Sequence, residues 1–541
     1  MLFDFCFEYF GLFFIYITNT SQNKITAIVV LLKDKIVNSF TKFFSSTFLR
    51  LTLLLLINIA IIFCCDYFGY AYIYFLACLL FALISIFFLA NRDERDSYKV
   101  TVFLAMFVLP LWAIGYGIAL KDRKGSKKIK KEWSDIIYRN RKSVFQSNET
   151  MANLKAINTQ AYKTCNYLVD TVGMPCFQNA LVKYYSFGEA YFKDLVDEIK
   201  NAQNYVLLEC YKIVPGKLWT ELFDTLRLKA REGVSVKLVY DDAVCTKFIS
   251  REDFLKMQNH GIETIPFNRY KAFAGGFVNC RNYKRLTVID GKVGFFGGFN
   301  IDDEYVQNIE LTNATKDCGI KIMGEAVKNL IVMFFEDYQF ASKKVINLQD
   351  YFADSQPVKT KDWILPYSTN PVSLDHTNKN ILLSLINNAK DNISIVTTYL
   401  ALDDELKNAL IVNAKSGIKV RLIFSSEKVA NKIKTLSRSY FYDLIKEGIE
   451  VYEYKGGKMT TRLIMIDNNS ALISTNNLDS QNTYKHFNAG VYLYGDSVIL
   501  MYNDIREIVN GSQLVTIKDM QKRKLGQKIS ASWSKFLALF R

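Results

Sequence analysis

Arg285-Leu-Thr-Val-Ile-Asp290 and Arg462-Leu-Ile-Met-Ile-Asp467 lie 177 residues apart and share one layout. The first continues to Gly297-Gly-Phe-Asn300 and the second to Ser474-Thr-Asn-Asn477, so an asparagine follows each aspartate by ten residues. The residues between each arginine and its aspartate are mostly aliphatic, which is typical of a buried strand. The repeat indicates two related units, each with a cation at one end of a core strand.

The flanking sequence repeats in the same order. Lys229–Val239 parallels Asn413–Ile423, and the tetrapeptide beginning at His260 parallels the one beginning at Glu447. In each case a helical pattern ends at a glycine and passes into a β-branched run, as in an α/β unit. We therefore predict an α/β fold of two duplicated lobes, with mixed sheets flanked by helices.

The N-terminal part is strongly apolar. Leu51–Cys65, Tyr67–Ala90 and Val102–Leu120 are apolar runs, and a membrane span needs roughly 20 such residues. We predict a transmembrane anchor of two or three helices, with residues 3–17 as one more span or an interfacial helix. The basic stretch Lys121–Lys131 then places the following residues in the cytoplasm.

The composition limits the classes of molecule that the protein is expected to bind. A formal charge of +15 and a pI near 9.1 favour an anionic partner, either lipid or nucleic acid. Lipid is favoured, because the basic residues cluster beside apolar runs instead of alternating with aromatics. The ten cysteines form no CxxC pair and there are only three histidines, so we predict no metal site and no cofactor.

Duplication suggests one shared site. If the lobes pack about a pseudo-twofold axis, Arg285 and Arg462 meet and each can hold a phosphate oxygen bidentately. Asn300 and Asn477 can donate to the same phosphate, and the tight Gly297-Gly298 turn allows close backbone approach. The alternative is that both arginines are surface residues on core strands, with the aspartates capping turns.

These stretches resemble the phospholipase D superfamily, and specifically bacterial cardiolipin synthases. The resemblance is strongest in Val288–Ile301, in Asp303-Glu-Tyr305 and in Asn477-Leu-Asp479. It implies a His-x-Lys-x-x-x-x-Asp motif in each lobe. One histidine would attack phosphatidylglycerol to form a phosphohistidine, and the other would be the acid and base. A second phosphatidylglycerol would then accept the phosphatidyl group, giving cardiolipin without a metal.

Both histidines are absent from this chain. Tyr283 and Thr460 occupy their positions, Asp317 matches a carboxylate that would orient the first histidine, and Asn488 stands where the second lobe's glutamate is expected. The motif-equivalent catalytic positions are Tyr283, Arg285, Asp290, Thr460, Arg462 and Asp467. The predicted phosphate-binding residues are Arg285, Asn300, Arg462 and Asn477, with Gly297, Gly298 and Asp317 in support.

Few residues near these positions could take over the roles of the two histidines that the resemblance implies. The Thr460 hydroxyl does not titrate in the useful pH range. Tyr283 could attack phosphorus if Lys284 and Arg285 lowered its pKa, but the leaving group would still lack an acid. His486 could reach toward the cleft or be an ordinary hydrogen-bonded histidine.

The leading hypothesis is a membrane protein similar to cardiolipin synthases that binds anionic phospholipid but has lost, or nearly lost, phosphatidyl transfer. Its partners would be phosphatidylglycerol or cardiolipin and an active paralogue or a second copy, in a bacterial cell membrane. The alternatives are a working phosphatidyltransferase with a substitute nucleophile and a nucleic-acid-binding protein. The predicted divisions are an apolar and basic segment at 1–46, the anchor at 47–120, a basic linker at 121–185, the lobes at 186–350 and 351–512, and a basic amphipathic segment at 513–541.

Overall fold

The computed structural model describes residues 47–90, 96–121, 127–178, 180–269, 277, 280–306, 314–354, 360–372, 377–425, 431–479 and 485–521. The predictions for residues 1–46 and for 522–541 of the C-terminal segment lie outside these ranges. The described chain separates into two compact units, one formed by the apolar helices up to Lys121 and the other by the residues that follow.

The part of the apolar unit that the structure describes forms four helices: α1 (Thr47–Tyr67), α2 (Ala71–Ala90), α3 (Asp96–Met106) and α4 (Pro110–Lys121). Among the described residues, one helical stretch is long and apolar enough to cross a membrane, Ala71–Leu89, and a shorter apolar helix covers Leu51–Tyr67. The run Val102–Leu120 does not form one helix. It is divided at Pro110, which begins α4 because proline fits the first turn of a helix but not its interior.

In the described residues of the second unit there are thirteen further α-helices. They are α5 (Lys127–Arg141), α6 (Asn148–Ile157), α7 (Thr159–Val172), α8 (Gly188–Lys200), α9 (Lys217–Arg231), α10 (Asp242–Cys245), α11 (Arg251–Gln258), α12 (Val327–Ser342), α13 (Thr377–Asn387), α14 (Asp404–Lys415), α15 (Asn431–Lys446), α16 (Val498–Asn510) and α17 (Ile517–Gln521).

In the described residues two large sheets and one small sheet are formed by the strands of this unit. They are β1 (Phe177–Gln178), β2 (Leu181–Tyr185), β3 (Tyr205–Cys210), β4 (Ser235–Asp241), β5 (Ile262–Phe267), β6 (Leu286–Ile289), β7 (Val293–Gly297), β8 (Gly319–Met323), β9 (Trp363–Thr369), β10 (Asn392–Thr397), β11 (Leu400–Ala401), β12 (Lys419–Ser425), β13 (Glu450–Tyr454), β14 (Leu463–Ile466), β15 (Ser470–Ser474), β16 (Leu478–Asp479), β17 (Asn488–Tyr494) and β18 (Ser512–Leu514).

The two large sheets confirm the predicted mixed α/β fold. The first sheet has the strand order β2-β8-β7-β6-β3-β4-β5, and the second contains β9-β17-β15-β14-β10-β12-β13 in the same relative arrangement. In the first sheet β3, β4 and β5 are parallel, and β3 pairs antiparallel with β6. In the second sheet β10, β12 and β13 are parallel, and β10 pairs antiparallel with β14. The second sheet is extended by β1 and β18 at its edges. In the small sheet β11 pairs with β16.

The lobes share elements near their predicted boundaries. The first sheet begins with β2, before residue 186, and β1 joins the second sheet although it precedes the whole first lobe in the chain. Helix α12 contacts β5 and β6 of the first sheet and β9 of the second, and thirteen of its sixteen residues are buried. The two sheets therefore share part of their core.

Candidate functional site

Short backbone pairings join the two motif segments across the lobes. The Tyr283 N–H donates to the Phe487 carbonyl at 2.9 Å, and the Thr460 N–H donates to the Lys316 carbonyl at 2.7 Å. The first pairing joins the segment before β6 to the segment before β17 of the other lobe. The second joins the segment before β14 to the segment before β8. Tyr283 and Thr460 are therefore in structurally equivalent positions at the junction of the lobes.

The two arginines are held in the same way. Arg285 Nε donates to Asn300 Oδ1 at 2.7 Å and Nη1 donates to the Tyr283 carbonyl at 2.9 Å. Arg462 Nε donates to Asn477 Oδ1 at 2.5 Å and Nη1 donates to the Thr460 carbonyl at 3.1 Å.

Burial, together with the positive charge of Arg462, lowers the pKa of Arg285. The two guanidinium groups are therefore close enough to repel each other. An anion between them would relieve that repulsion.

The motif aspartates lie at the opposite end of their strands from the arginines. Five residues of extended chain separate Arg285 from Asp290 by roughly 16 Å. The Asp290 carboxylate accepts the backbone N–H groups of residues 203, 204 and 205 at 2.7 to 2.8 Å. Asp467 does the same for residues 390, 391 and 392. Both aspartates position the start of a neighbouring strand and do not face the junction.

Asp317 contacts the second motif, contrary to the expectation that it orients the group at position 283. The Thr460 hydroxyl donates to Asp317 Oδ2 at 2.6 Å, and the Cys318 N–H donates to Oδ1 at 2.8 Å. The reason is the pairing of Lys316 with the second motif segment, which turns the next side chain toward Thr460. Burial raises the pKa of Asp317, although Arg462 and Thr460 partly oppose that shift.

Glycine at two supporting positions makes room for neighbours. A Cβ on Gly298 would overlap the Asp317 carboxylate, and a Cβ on Gly297 would meet Gly319 Cα at 2.7 Å. In the second lobe Thr475 takes the place of Gly298, and its hydroxyl donates to Asn488 Oδ1 at 3.1 Å.

Tyr283 lies in an environment that suppresses its ionisation. Its ring stacks on Tyr211 with centroids 4.4 Å apart and an interplanar angle of 24°. Burial, followed by the neighbouring Tyr211, raises the pKa of Tyr283. Lys284 does not help, since its Nζ is directed to Asp337 Oδ2 at 2.7 Å in the core. The expectation of a lowered Tyr283 pKa is therefore wrong.

His486 is next to Tyr283, with ring centroids 5.0 Å apart. Its Nδ1 accepts the Arg281 N–H at 3.0 Å, so in the neutral ring the proton is on Nε2. Burial, with the nearby charge of Arg281, lowers the pKa of His486 to about 3. At neutral pH neither nitrogen has a free lone pair for attack on phosphorus, and the ring carries no proton to donate as an imidazolium.

Two tyrosines at the junction were missed by the sequence reasoning. Tyr211 stacks on Tyr283, and the Tyr305 hydroxyl lies 3.1 Å from Asn300 Nδ2 and 3.4 Å from Thr460 Oγ1. A usable signal existed for Tyr211, because it directly follows β3, the strand that pairs with the first motif strand. Among the residues that the structure describes, no group of three His, Cys, Asp or Glu side chains could hold a metal ion.

Comparison with known proteins identifies the family. The family model described as "Cardiolipin synthase, PLD-like domain" matches residues 195–335 and 382–507, which include both motif strands. Cardiolipin synthase 2 of Bacillus anthracis is 30% identical over 355 residues, covering 65% of this chain and 69% of that protein. The chain belongs to the cardiolipin synthase family.

Other members and one solved structure extend this likeness. A probable cardiolipin synthase of Bacillus subtilis is 25% identical over 468 residues, covering 86% of this chain and 92% of that protein. The crystal structure of phosphatidylserine synthase from Haemophilus influenzae Rd KW20 has a TM-score of 0.54 at 13% identity, covering 70% of this chain and 98% of that one. At that identity the likeness concerns the fold alone, and it agrees with the phospholipase D-like architecture of the cardiolipin synthase family.

Proposed function

We propose that this cardiolipin synthase family member binds the phosphate of an anionic phospholipid at the lobe junction and has lost, or nearly lost, phosphatidyl transfer. Phosphatidylglycerol and cardiolipin are the proposed ligands. The observation that carries the proposal is the pairing of matched Arg-Asn frames with tyrosine and threonine at the two histidine positions.

The side chains around the junction support loss of transfer. Covalent transfer requires a nucleophile that is reactive at neutral pH and an acid for the leaving alkoxide. The pKa of Tyr283 is raised. In neutral His486, Nδ1 accepts a hydrogen bond and Nε2 carries the proton, so neither nitrogen has a free lone pair. Arginine stays protonated, so Arg285 and Arg462 can bind an anion but relay no protons.

Turnover of radiolabelled phosphatidylglycerol by the purified full-length protein tests the proposal. We expect no labelled cardiolipin above a protein-free control, while an active family enzyme assayed alongside gives product. The double variant Tyr283→His, Thr460→His is expected to gain measurable transfer. Wild-type turnover near that of the active enzyme would contradict the proposal.

The second candidate function is a slow phosphatidyltransferase that uses Thr460 as its nucleophile. It is favoured by the 2.6 Å contact with Asp317, a carboxylate that could accept the threonine proton as Thr460 Oγ1 bonds to phosphorus and then return it to the oxygen of the departing glycerol. Incubation with labelled lipid followed by acid quenching and peptide mapping distinguishes the two functions. A phosphatidyl adduct on Thr460 would favour the transferase.

We further propose that the protein is a multi-pass protein of a bacterial cell membrane with its lobes in the cytoplasm. The exposed apolar surface of α1 and α2 supports this, with Phe63 70% and Phe87 79% exposed. The basic run after residue 120 supports the orientation. A C-terminal fusion to a fluorescent protein should fluoresce, and a fusion to alkaline phosphatase should be inactive.

The proposed protein partner is an active member of the same family or a second copy of this chain. Such pairing would give a lipid-binding protein without transfer activity a role in phospholipid metabolism. Co-purification of differently tagged copies, alone and together with an active paralogue, tests both arrangements. Recovery of neither tagged partner would contradict them.

A further inference from the structure

Equivalent positions in the two halves of the junction carry different side chains. Tyr283 and Thr460 make the same backbone hydrogen bond across the lobes. Tyr211 and Thr398 each directly follow the strand that pairs with the motif strand, which is β3 in one lobe and β10 in the other. The half that contains Arg285 therefore has aromatic side chains at both positions, and the half that contains Arg462 has threonines.

In the first half, the aromatic side chains pack against the guanidinium group of Arg285. The guanidinium carbon of Arg285 lies 4.9 Å from the centroid of the Tyr211 ring, and Tyr283 stacks on that same ring. A guanidinium group is attracted to an aromatic face, more strongly where water is excluded. Within the described ranges, no ring makes this contact with Arg462.

The asparagine partners differ in the same direction. The Asn300 amide donates to the Tyr305 hydroxyl at 3.1 Å. The Asn477 amide has no acceptor in the described part of the chain, and the same is true of the buried Thr398 hydroxyl. Among the described residues, the amide donor is therefore used internally in the first half and has no internal acceptor in the second.

The exposed fractions of the arginine and asparagine side chains also differ between the two halves. Arg285 is 6% and Asn300 9% exposed, whereas Arg462 and Asn477 are both half-buried. Because a phosphate must reach the guanidinium to bind it, the second half is the accessible one. The comparison is internal to one molecule, since both halves have the same Arg-Asn geometry.

We propose that the junction binds a single phosphate group through its second half, with Arg462 and Asn477 as the donors. Arg285, Tyr211 and Tyr283 instead form a packed wall opposite that ligand. This inference rests on the proposed function, because it assigns the phosphate site of that function to one half of the junction.

The proposed function assigns a phospholipid to this site, so the proposed ligand class is a lipid phosphodiester. Asp317 contacts Thr460, whose carbonyl accepts from Arg462, so a carboxylate lies beside the binding arginine. A phosphomonoester carries nearly two negative charges at neutral pH, so both its repulsion from Asp317 and its attraction to Arg462 exceed those of a diester. Inorganic phosphate is therefore the competing ligand in the test.

Calorimetric titration of the full-length protein in detergent tests the assignment. The probes are short-chain phosphatidylglycerol, glycerol phosphate and inorganic phosphate. We expect phosphatidylglycerol to bind most tightly. We also expect Arg462→Gln to weaken it by about tenfold or more and Arg285→Gln by less than about threefold. Lys193→Gln, on the exposed face of α8, is the charge-matched control.

A second pair of variants leaves both arginines in place. Thr460→Tyr brings an aromatic side chain to the second half and should abolish binding, whereas Tyr283→Thr should retain it. Melting temperatures of all variants report whether each one folds.

The outcomes separate this inference from the function on which it rests. Equal losses in the Arg285 and Arg462 variants, or binding retained by folded Thr460→Tyr, would overturn the one-sided site while leaving phosphate binding intact. Failure of the wild type to bind any probe would overturn both. Tighter binding of inorganic phosphate than of phosphatidylglycerol would overturn the diester assignment.

Discussion

At the residue scale, the neighbours of Asp317 and Asn488 add a further difference between the two halves of the junction. Gly298 leaves space that the Asp317 carboxylate fills, while Thr475 fills the equivalent space itself and donates to Asn488. A carboxylate is therefore compatible with one half and an amide with the other. Asn488, at the position where the family resemblance implies a glutamate, therefore has Thr475 as its neighbour where Asp317 has Gly298.

The variant Asp317→Asn should be more stable than the wild type at high pH. The folded-state pKa of Asp317 lies above its unfolded value, so its contribution is fully present below pH of about 4 and is lost as the pH passes through the folded-state pKa. The asparagine Oδ1 can accept the Cys318 N–H, and its Nδ2 can donate to Thr460 Oγ1, which reverses the direction of that hydrogen bond. We expect the melting temperature of the variant to exceed that of wild type at pH 8 and to approach it near pH 4.

The reciprocal variant Asn488→Asp is the matched control. Position 488 is 1% exposed, so a new carboxylate there should lower the melting temperature at pH 8. An equal loss of stability in Asp317→Asn at both pH values would show that its charge is not the relevant property.

At the element scale, both motif hairpins depend on an aspartate with a left-handed backbone. Asp290 has φ 51° and Asp467 has φ 52°, and in each turn the next residue also has a positive φ. Aspartate tolerates this conformation, and its side chain also satisfies three backbone N–H groups of the neighbouring strand.

Replacement of these aspartates should destabilise the lobes. Asp290→Ala and Asp467→Ala each leave N–H groups without their acceptor, so we expect a loss of about 1 to 3 kcal/mol in the free energy of unfolding. Asp290→Asn and Asp467→Asn tolerate the same backbone and should lose less. Urea unfolding measures the order, and alanine variants as stable as wild type would refute this structural role.

The motif strands also differ in how they contact the core. Lys284 is 1% exposed and pairs with Asp337 of α12, whereas the equivalent Thr461 has a buried hydroxyl with no partner among the described residues. Lys284→Met should therefore lower the free energy of unfolding by about 3 to 5 kcal/mol, because it leaves Asp337 without its cation. Thr461→Val, the matched control, should be neutral or stabilising by about 1 kcal/mol. Denaturant unfolding of both variants is the measurement.

At the scale of the whole molecule, the two lobes should unfold as one cooperative unit. Lys316 of the first lobe pairs with Asp504 of α16 at 2.6 Å, both side chains are buried, and Tyr184 also donates to Asp504 at 2.6 Å. Helix α12 packs on strands of both sheets. We expect a single thermal transition for the lobes.

Asp504→Leu should lower that transition without splitting it, because it leaves Lys316 buried and unpaired at a cost of about 3 to 5 kcal/mol. Lys200→Gln, which breaks an exposed pair with Asp197, should not move the transition measurably. Two separate transitions in calorimetry would contradict the shared core.

Much of this organisation could be predicted from particular residues. The repeated Arg-to-Asp strands predicted the duplication, and the flanking Gly-to-β-branched runs predicted mixed sheets, because strand and helix periodicities are local properties of sequence. The location of both arginines near the lobe junction, where the charge of Arg462 lowers the pKa of Arg285, required only the assumption of twofold packing. The contact of Asp317 with Thr460 could not be predicted, because it depends on which segments pair across the lobes.

The sequence by itself determined the family, the two strands with their arginines, and the presence of Tyr283 and Thr460 before them, since each is a matter of residue identity and local spacing. The tertiary structure alone decided that the aspartates serve the turns, that His486 is committed, and that the two halves of the junction differ. These features depend on burial and on contacts between residues more than 70 positions apart in the chain, which local sequence does not specify.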